Sequence, residues 1–401
     1  MSDINKEMGT YSKDLKKASK DPNINRAITR AVKSYRETVA TTMERYPHTP
    51  MFADEVREIK EYSLKHNKEL LEQAMEAIEK NKGKAYFAKD QSEVFRILDD
   101  IVGTGKVIVK GKSMLGEELK LRHGLEKAGN EVWETDLGEF ILQLKDDRPM
   151  HILSPAIHVP REQVAEIFSE FFKKEVPPDI AQEVAVVREF LREKYFTADI
   201  GISGANAVAA DTGQIVIIEN EGNVRLCTGA PPVHICIVGI EKLVPTFLEA
   251  MMVSEVNWRY AQYGAPSYVN IISGPSKTGD IEKVTTYGAH GPKEFHVIFV
   301  DNGRSKMIED SNFTSALYCL RCGGCMYECP VFQVTAGHYG KTYLSGIGSV
   351  WTAFVEGDPD TAAPMLYTCL RCGRCMERCP MKINVPEMVG ELRSRVVSPE
   401  E

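Results

Sequence analysis

At 401 residues, with 43% hydrophobic and 26% charged side chains, the chain has the composition of a folded globular protein of about two or three domains rather than a disordered one. A formal charge of −8 argues against a nucleic-acid binder, whose affinity rests on neutralising phosphates. Residues 1–14 lack a secretory apolar run, and the most apolar stretches, 234–240 and 295–300, are far shorter than the roughly 20 residues that span a bilayer. A cytoplasmic location, compatible with peripheral attachment to a membrane enzyme, is therefore expected.

Residues 1–50 read as an N-terminal helical arm. Ile24, Ala27, Ile28, Ala31, Val32 and Tyr35 recur at helical spacing among Lys and Arg residues, the pattern of a solvated helix packed on the body or of a docking arm. Pro47 and Pro50 should end it. Residues 54–82 read as one long helix opened by Asp54, with Val56, Ile59, Leu70, Leu71, Ala74 and Ile78 on its apolar stripe.

From residue 85 the pattern alternates. Short β-rich runs at 85–88, 107–109, 131–134 and 152–154 are separated by helical stretches at 92–101, 115–127 and 161–174. A helix at 180–195 follows, then strands at 199–202, 214–219, 233–239, 269–273 and 295–300, with a helix near 245–261. Alternation of this kind implies βαβ units and a mainly parallel sheet, so residues 51–305 are expected to form one α/β domain.

The last segment, 306–401, carries the strongest chemical signal. Eight of the ten cysteines fall in two runs, Cys319-Leu-Arg-Cys322-Gly-Gly-Cys325-Met-Tyr-Glu-Cys329-Pro330 and Cys369-Leu-Arg-Cys372-Gly-Arg-Cys375-Met-Glu-Arg-Cys379-Pro380, which agree at 9 of 12 positions. This is the C-x2-C-x2-C-x3-C-P spacing of a 4Fe-4S ligand set, in which the fourth cysteine serves the other cluster. Cluster one is therefore assigned to Cys319, Cys322, Cys325 and Cys379, and cluster two to Cys369, Cys372, Cys375 and Cys329. Gly323 and Gly373 should let backbone N–H groups approach the cluster sulfurs. Zinc takes only four ligands and leaves no role for a third cysteine at the same spacing. The long gap between the runs favours intervening helices over the strands of a compact ferredoxin. Arg321, Arg371, Arg374 and Arg378 beside the ligands should raise the cluster potentials by favouring the reduced, more negative state.

Within the α/β segment two nucleotide signals fail. The glycines Gly105 and Gly111 of a P-loop-like stretch are one residue too far apart, and no G-x-G-x-x-G opens a helix after a strand. Asn220, Glu221, Asn223 and Arg225 surround Gly222 after a strand, where open α/β sheets bind ligands. Arg225 is placed to fork onto a substrate carboxylate, against the simpler reading of a polar turn. His234 is more often structural than an acid or base, although it and Glu221 stand with Arg225 as catalytic candidates. Cys227 and Cys236 read as buried small hydrophobes, with a Cys227 nucleophile activated by His234 as the sharper alternative.

Nine stretches in order resemble the lactate utilisation protein B family (LutB/LldF). They include residues 56–61, Lys112-Ser-Met114, 134–139, 151–158, 198–226, 234–245, Gly291-Pro292, Asp301-Asn-Gly-Arg-Ser305 and the cysteine runs. The resemblance implies an α/β LUD domain similar to the sugar-phosphate isomerase (NagB/RpiA) and CoA-transferase superfamily, followed by a small helical dicluster ferredoxin domain with two 4Fe-4S clusters. It also implies an oxidoreductase complex that converts L-lactate to pyruvate, whose other members are a second LUD protein and a cysteine-rich subunit related to heterodisulfide reductases. One departure is that the chain ends soon after Cys379, where family members usually continue. The expected role is an electron-transfer subunit. The alternatives are an acyl- or CoA-transferase-like enzyme with Glu221 as nucleophile and structural or sensory clusters, or a redox adaptor to a heterodisulfide-reductase-like partner.

Overall fold

A computed structural model describes residues 2–398. Twelve strands run in chain order as β1 Lys84–Ala88, β2 Val107–Lys110, β3 Glu131–Glu134, β4 Ile200–Ser203, β5 Ala207–Ala209, β6 Ile215–Glu219, β7 Val233–Gly239, β8 Leu243–Val244, β9 Tyr268–Ile272, β10 Lys277–Thr278, β11 Thr286–Tyr287 and β12 Glu294–Val300. Six of them form the main sheet in the order β1-β12-β7-β4-β2-β3. Every neighbouring pair in it is parallel, as βαβ alternation requires. β6 and β9 belong instead to a second, mixed sheet of order β8-β5-β6-β9, and β10 pairs only with β11.

Helices cover both faces of the main sheet. Asp90 and Asp179 open Gln91–Val102 and Ile180–Thr197 by accepting backbone N–H bonds. Thr246 and Glu249 close a reciprocal capping box on Phe247–Tyr260. Between the cysteine runs the chain is helical, with Ser345–Val355 and Pro359–Thr368, as the length of that gap suggests.

Three local expectations need correction. The helix expected over 54–82 is two, Thr49–Lys65 and Asn67–Lys80, and it starts earlier because Pro50 occupies its first turn. The break follows from tertiary ties on both sides of His66: buried Lys60 and Asn67 donate to the carbonyls of Glu241 and Ile240. The helix expected over 115–127 is also two, Met114–Glu118 and Leu121–Lys127, separated by Lys120 at φ +49°. That break lets Glu118 point inward to Arg304. Residues 152–154 form no strand; they lie in a loop that carries His151 onto the ring of Tyr327, 4.3 Å away.

One apolar cluster runs without interruption from the α/β part into the cysteine-bearing part, through Val56, Val244, Val256, Phe313, Trp351 and Leu392. The N-terminal helices Ser2–Ala18 and Pro22–Arg45 pack through Ala18 of the first and Ile24, Ile28 and Tyr35 of the second into one cluster with Met326, Phe332 and Met365. The arm thus lies against the cysteine-bearing segment.

Candidate functional site

Each cysteine run winds through two left-handed residues, Arg321 (φ +64°) and Gly323 (φ +77°) in the first, Arg371 (φ +53°) and Gly373 (φ +82°) in the second. Such turns aim backbone N–H groups at one point and suit an anion. The short helices Gly324–Glu328 and Arg374–Arg378 follow and end at Cys329 and Cys379, which are extended and precede a proline. Cys319, Cys322, Cys325 and Cys379 surround one cavity. Cys369, Cys372, Cys375 and Cys329 surround another, and Cys375 touches the edge of both. Among the described residues no three His, Cys, Asp or Glu side chains converge tightly enough for a single metal ion.

Backbone N–H groups approach the sulfurs, and that of Arg371 donates to Cys369 Sγ at 3.4 Å. Gly324 faces Cys322, Met376 faces Cys375, Val331 and Phe332 face Cys329, and Met381 and Ile383 face Cys379. Burial, aided by the neighbouring thiols, pushes Cys322 and Cys375 up to about 12. Crowded, buried thiols of this kind bind metal by releasing protons.

A third cavity, of about 290 Å³, opens beside the first thiol set. Its walls include residues just beyond the C-terminal ends of parallel strands: Lys112 after β2, Asp136 after β3, Gly204 after β4 and Glu241 after β7. This is where an open α/β sheet offers a ligand site. Leu320, Arg321 and Tyr343 line this cavity and the thiol cavity alike. Asn257, on the helix Phe247–Tyr260, fixes this junction by donating to the Leu320 carbonyl at 2.8 Å.

Below the cavity lies a fully buried ionic network. Arg304 donates its Nε to Glu241 at 2.6 Å and both terminal nitrogens to Glu118 at 2.9 Å, and Tyr343 donates to the same Glu118 carboxylate. Arg304 holds the Glu241 carboxyl down to about 2 against the opposing effect of burial. Gly239 is required here, because a Cβ would fall 1.9 Å from Glu241 Oε2. The network joins the sheet, the segment after β12 and the stretch between the cysteine runs.

Residues 71–300 match the family model described as LUD domain, and residues 315–383 match that described as 4Fe-4S dicluster domain. The chain is 38% identical over 348 residues to lactate utilization protein B of Bacillus subtilis, covering 86% of this chain and 71% of that protein. It is 36% identical over 358 residues to lactate utilization protein B of Shouchella clausii, covering 87% and 73%. A third relative, the uncharacterized electron transport protein YkgF of Escherichia coli, is 34% identical over 351 residues, covering 86% and 72%. The chain belongs to the lactate utilization protein B family.

As a family member it is an α/β LUD domain followed by a small iron–sulfur, ferredoxin-like region. The donor chemistry fits that group: two cavities walled by thiols, with backbone N–H groups directed at the sulfurs. Among the described residues no helix is long and apolar enough to cross a membrane.

The catalytic candidates of the α/β part separate. Glu221 lines the rim of the large cavity with Asn220 and Asn223. Arg225 does not line it; its guanidinium lies over the Tyr268 ring, 4.4 Å from the centroid. His234 is likewise remote from the cavity lining: it is buried between strands, 2.8 Å from the Ser203 hydroxyl, and burial pushes it down to about 3. Cys227 is buried against Thr135 at 3.4 Å, and burial raises its thiol to about 12, which argues against a ready nucleophile. Glu219, which sequence reasoning passed over, caps the helix Asn223–Gly229 by accepting from Val224 and Arg225. Lys112, Asp136, Lys242 and Arg304 were also missed as site residues. Each lies in a stretch shared with the family, Lys112-Ser-Met114, 134–139, 234–245 or 301–305, and that was the available signal.

Proposed function

We propose that this chain is the iron–sulfur electron-transfer subunit of a lactate-utilisation type complex, serving oxidation of L-lactate or another 2-hydroxy acid to the 2-oxo acid. Two 4Fe-4S clusters are assigned, one to Cys319, Cys322, Cys325 and Cys379, the other to Cys369, Cys372, Cys375 and Cys329. The observation that carries this reading is the crossing of the fourth cysteine of each run to the cavity of the other run. When bound, such clusters supply one-electron transfer at a buried site. The protein's part is to hold the thiolates, direct N–H groups at the sulfurs and bury the first set between the LUD domain and the N-terminal helices.

The second thiol set faces outward, with Cys372 and Leu370 exposed, which supports a redox partner at that face. The family suggests a second LUD protein and a cysteine-rich, heterodisulfide-reductase-like protein as partners. The printed name of the Escherichia coli relative, an electron transport protein, agrees with the role. The organisation proposed is an arm over 1–50, a LUD domain over 51–305 and a cluster domain over 306–401.

Anaerobic purification should yield about eight irons per chain. Addition of L-lactate and the partner proteins should then bleach the clusters' visible absorption. Zinc without iron or sulfide would overturn the assignment, and clusters that stay oxidised with all partners present would overturn the relay. The transferase-like alternative rests on Glu221 at the cavity rim and requires an acyl adduct on that carboxylate.

A further inference from the structure

At the end facing the first thiol set the large cavity is lined by three cations, Lys242, Arg304 and Arg321, and one carboxylate, Glu241, with buried Lys60 close by. Of the cations there, Arg304 is consumed by Glu118 and Glu241, and Lys60 donates to the Glu241 carbonyl. Lys242 and Arg321 are left. Both line the cavity; among the described residues neither charged group has a hydrogen-bonding partner, and the charges around them include Glu241 and Cys319. Arg321 is held over the rings of Trp351 and Tyr343, 3.9 and 4.4 Å from their centroids, so its guanidinium is positioned without a carboxylate. Burial lowers Lys242, the Glu241 carboxylate opposes that shift, and Arg321 adds to it. Two half-buried cations lining one cavity repel each other, and an anion between them relieves that cost.

The cluster alone does not account for both. Arg321 borders the thiol cavity as well, but Lys242 lines only the large one. In the same large cavity the Trp258 indole is a wall, and its buried Nε1 has no acceptor among the described residues. The rest of the charged lining restricts the charge of a ligand. It bears Glu219, Glu221 and Asp136 against the single cation Lys112, already paired with Asp136 at 2.8 Å. A polyphosphate or other extended polyanion would set its charge against those carboxylates. A short monoanion avoids them, with its uncharged end against Ile237 and Val238.

We propose that this cavity binds a small organic monocarboxylate, its carboxylate resting on Lys242 and Arg321 and its short tail directed toward the strand ends. This rests on the reading of the chain as a lactate-utilisation subunit for the choice of 2-hydroxy and 2-oxo acids as probes, but it goes further: the acid is held by this chain, against the first cluster site, and not only by a partner.

The test is calorimetric titration of the cluster-loaded chain, alone and under anaerobic conditions, with L-lactate, pyruvate and inorganic phosphate. One of the two acids should bind once per chain, and phosphate should not compete. Lys242→Met and Arg321→Met should each weaken binding about 10- to 100-fold, the loss expected for one charge-assisted contact. Trp258→Phe, which removes the indole donor together with part of the ring, should weaken it less. Arg371→Met, at the equivalent place in the second run, should leave it unchanged. Should Arg321→Met lose iron, Lys242→Met decides, since Lys242 does not border the thiols. Absence of binding by either acid at millimolar concentration, preference for phosphate, or an equal loss in Arg371→Met would overturn the proposal. If the acid does not bind while lactate still reduces the clusters in the complex, the relay stands and this site falls. Binding without reduction would have the opposite meaning.

Discussion

The sequence Cys-Leu-Arg-Cys occurs twice, and the two copies live in opposite surroundings. Leu320 is 4% exposed and Leu370 is 65% exposed. Arg321 is enclosed over Trp351 and Tyr343 between the thiols and the large cavity, whereas Arg371 lies at the surface and donates to the Pro386 carbonyl. Cys322 lines an enclosed cavity, while its counterpart Cys372 is exposed. Local sequence therefore sets the winding of the loop, which both copies share. Tertiary packing sets everything else: the first copy is covered by the LUD domain and the arm, and the second faces outward. One near-repeat supplies an inward and an outward site.

The most drastic way to break this comparison is to remove ligands across the crossing. Cys379→Ser should abolish the same cluster spectrum as Cys322→Ser, and Cys329→Ser the same one as Cys372→Ser, each leaving about four irons per chain in place of about eight. Electron paramagnetic resonance of the reduced variants checks this. Pairing within runs, with Cys329→Ser matching Cys322→Ser, would refute the crossed sets.

Next in size is the network that seats the first copy. Arg304→Ala leaves Glu118 and Glu241 buried and uncompensated and should cost about 3–5 kcal/mol in denaturant unfolding of the loaded chain. A loss below about 1 kcal/mol would mean that water enters the network freely. The twin leucines come after it. Leu320→Ala should cost about 2–5 kcal/mol, and Leu370→Ala should fall within about 0.5 kcal/mol of the parent. Similar values for the pair would contradict the asymmetry on which the comparison rests.

Acid provides a gentler probe of the inner, sheet-bearing part. His234 is buried neutral, its folded pKa lowered from 6.5 to about 3. The unfolded chain then binds the extra proton first as pH falls. The contribution is intact above about pH 6.5 and is lost progressively toward pH 3. The pH slope of stability over that window should therefore be shallower in His234→Gln than in the parent, and equal slopes would show that the imidazole is not kept neutral.

The helical gap and the parallel alternation were legible because each rests on local spacing. The break at His66 was not, because Asn67 and Lys60 are drawn to carbonyls near residue 240, far away in sequence. Nor was the assignment of β6 and β9 to a separate sheet, since an apolar strand looks alike in either. The polar turn at 220–225 was found, but spacing could not tell Glu221, at the cavity, from Arg225, stacked on Tyr268. Lys242 was invisible for a similar reason. Its significance lies in what surrounds it, including Arg321, which is distant in sequence.

The subtlest difference between the copies concerns reduction potential. A cation favours the reduced, more negative cluster in proportion to its charge and inversely to the local dielectric, so an enclosed arginine acts more strongly than a solvated one. Arg321 is enclosed beside Cys319, whose charge it feels, and Arg371 and Arg374 are at the surface. Arg321→Met should therefore lower the potential of the first cluster more than Arg371→Met lowers that of the second, and Arg374→Glu should produce a small shift that fades with added salt. Redox titration followed by paramagnetic resonance separates the two clusters. Equal shifts from Arg321→Met and Arg371→Met would mean that solvent reaches both copies alike and that the enclosure of the first has no electrostatic consequence.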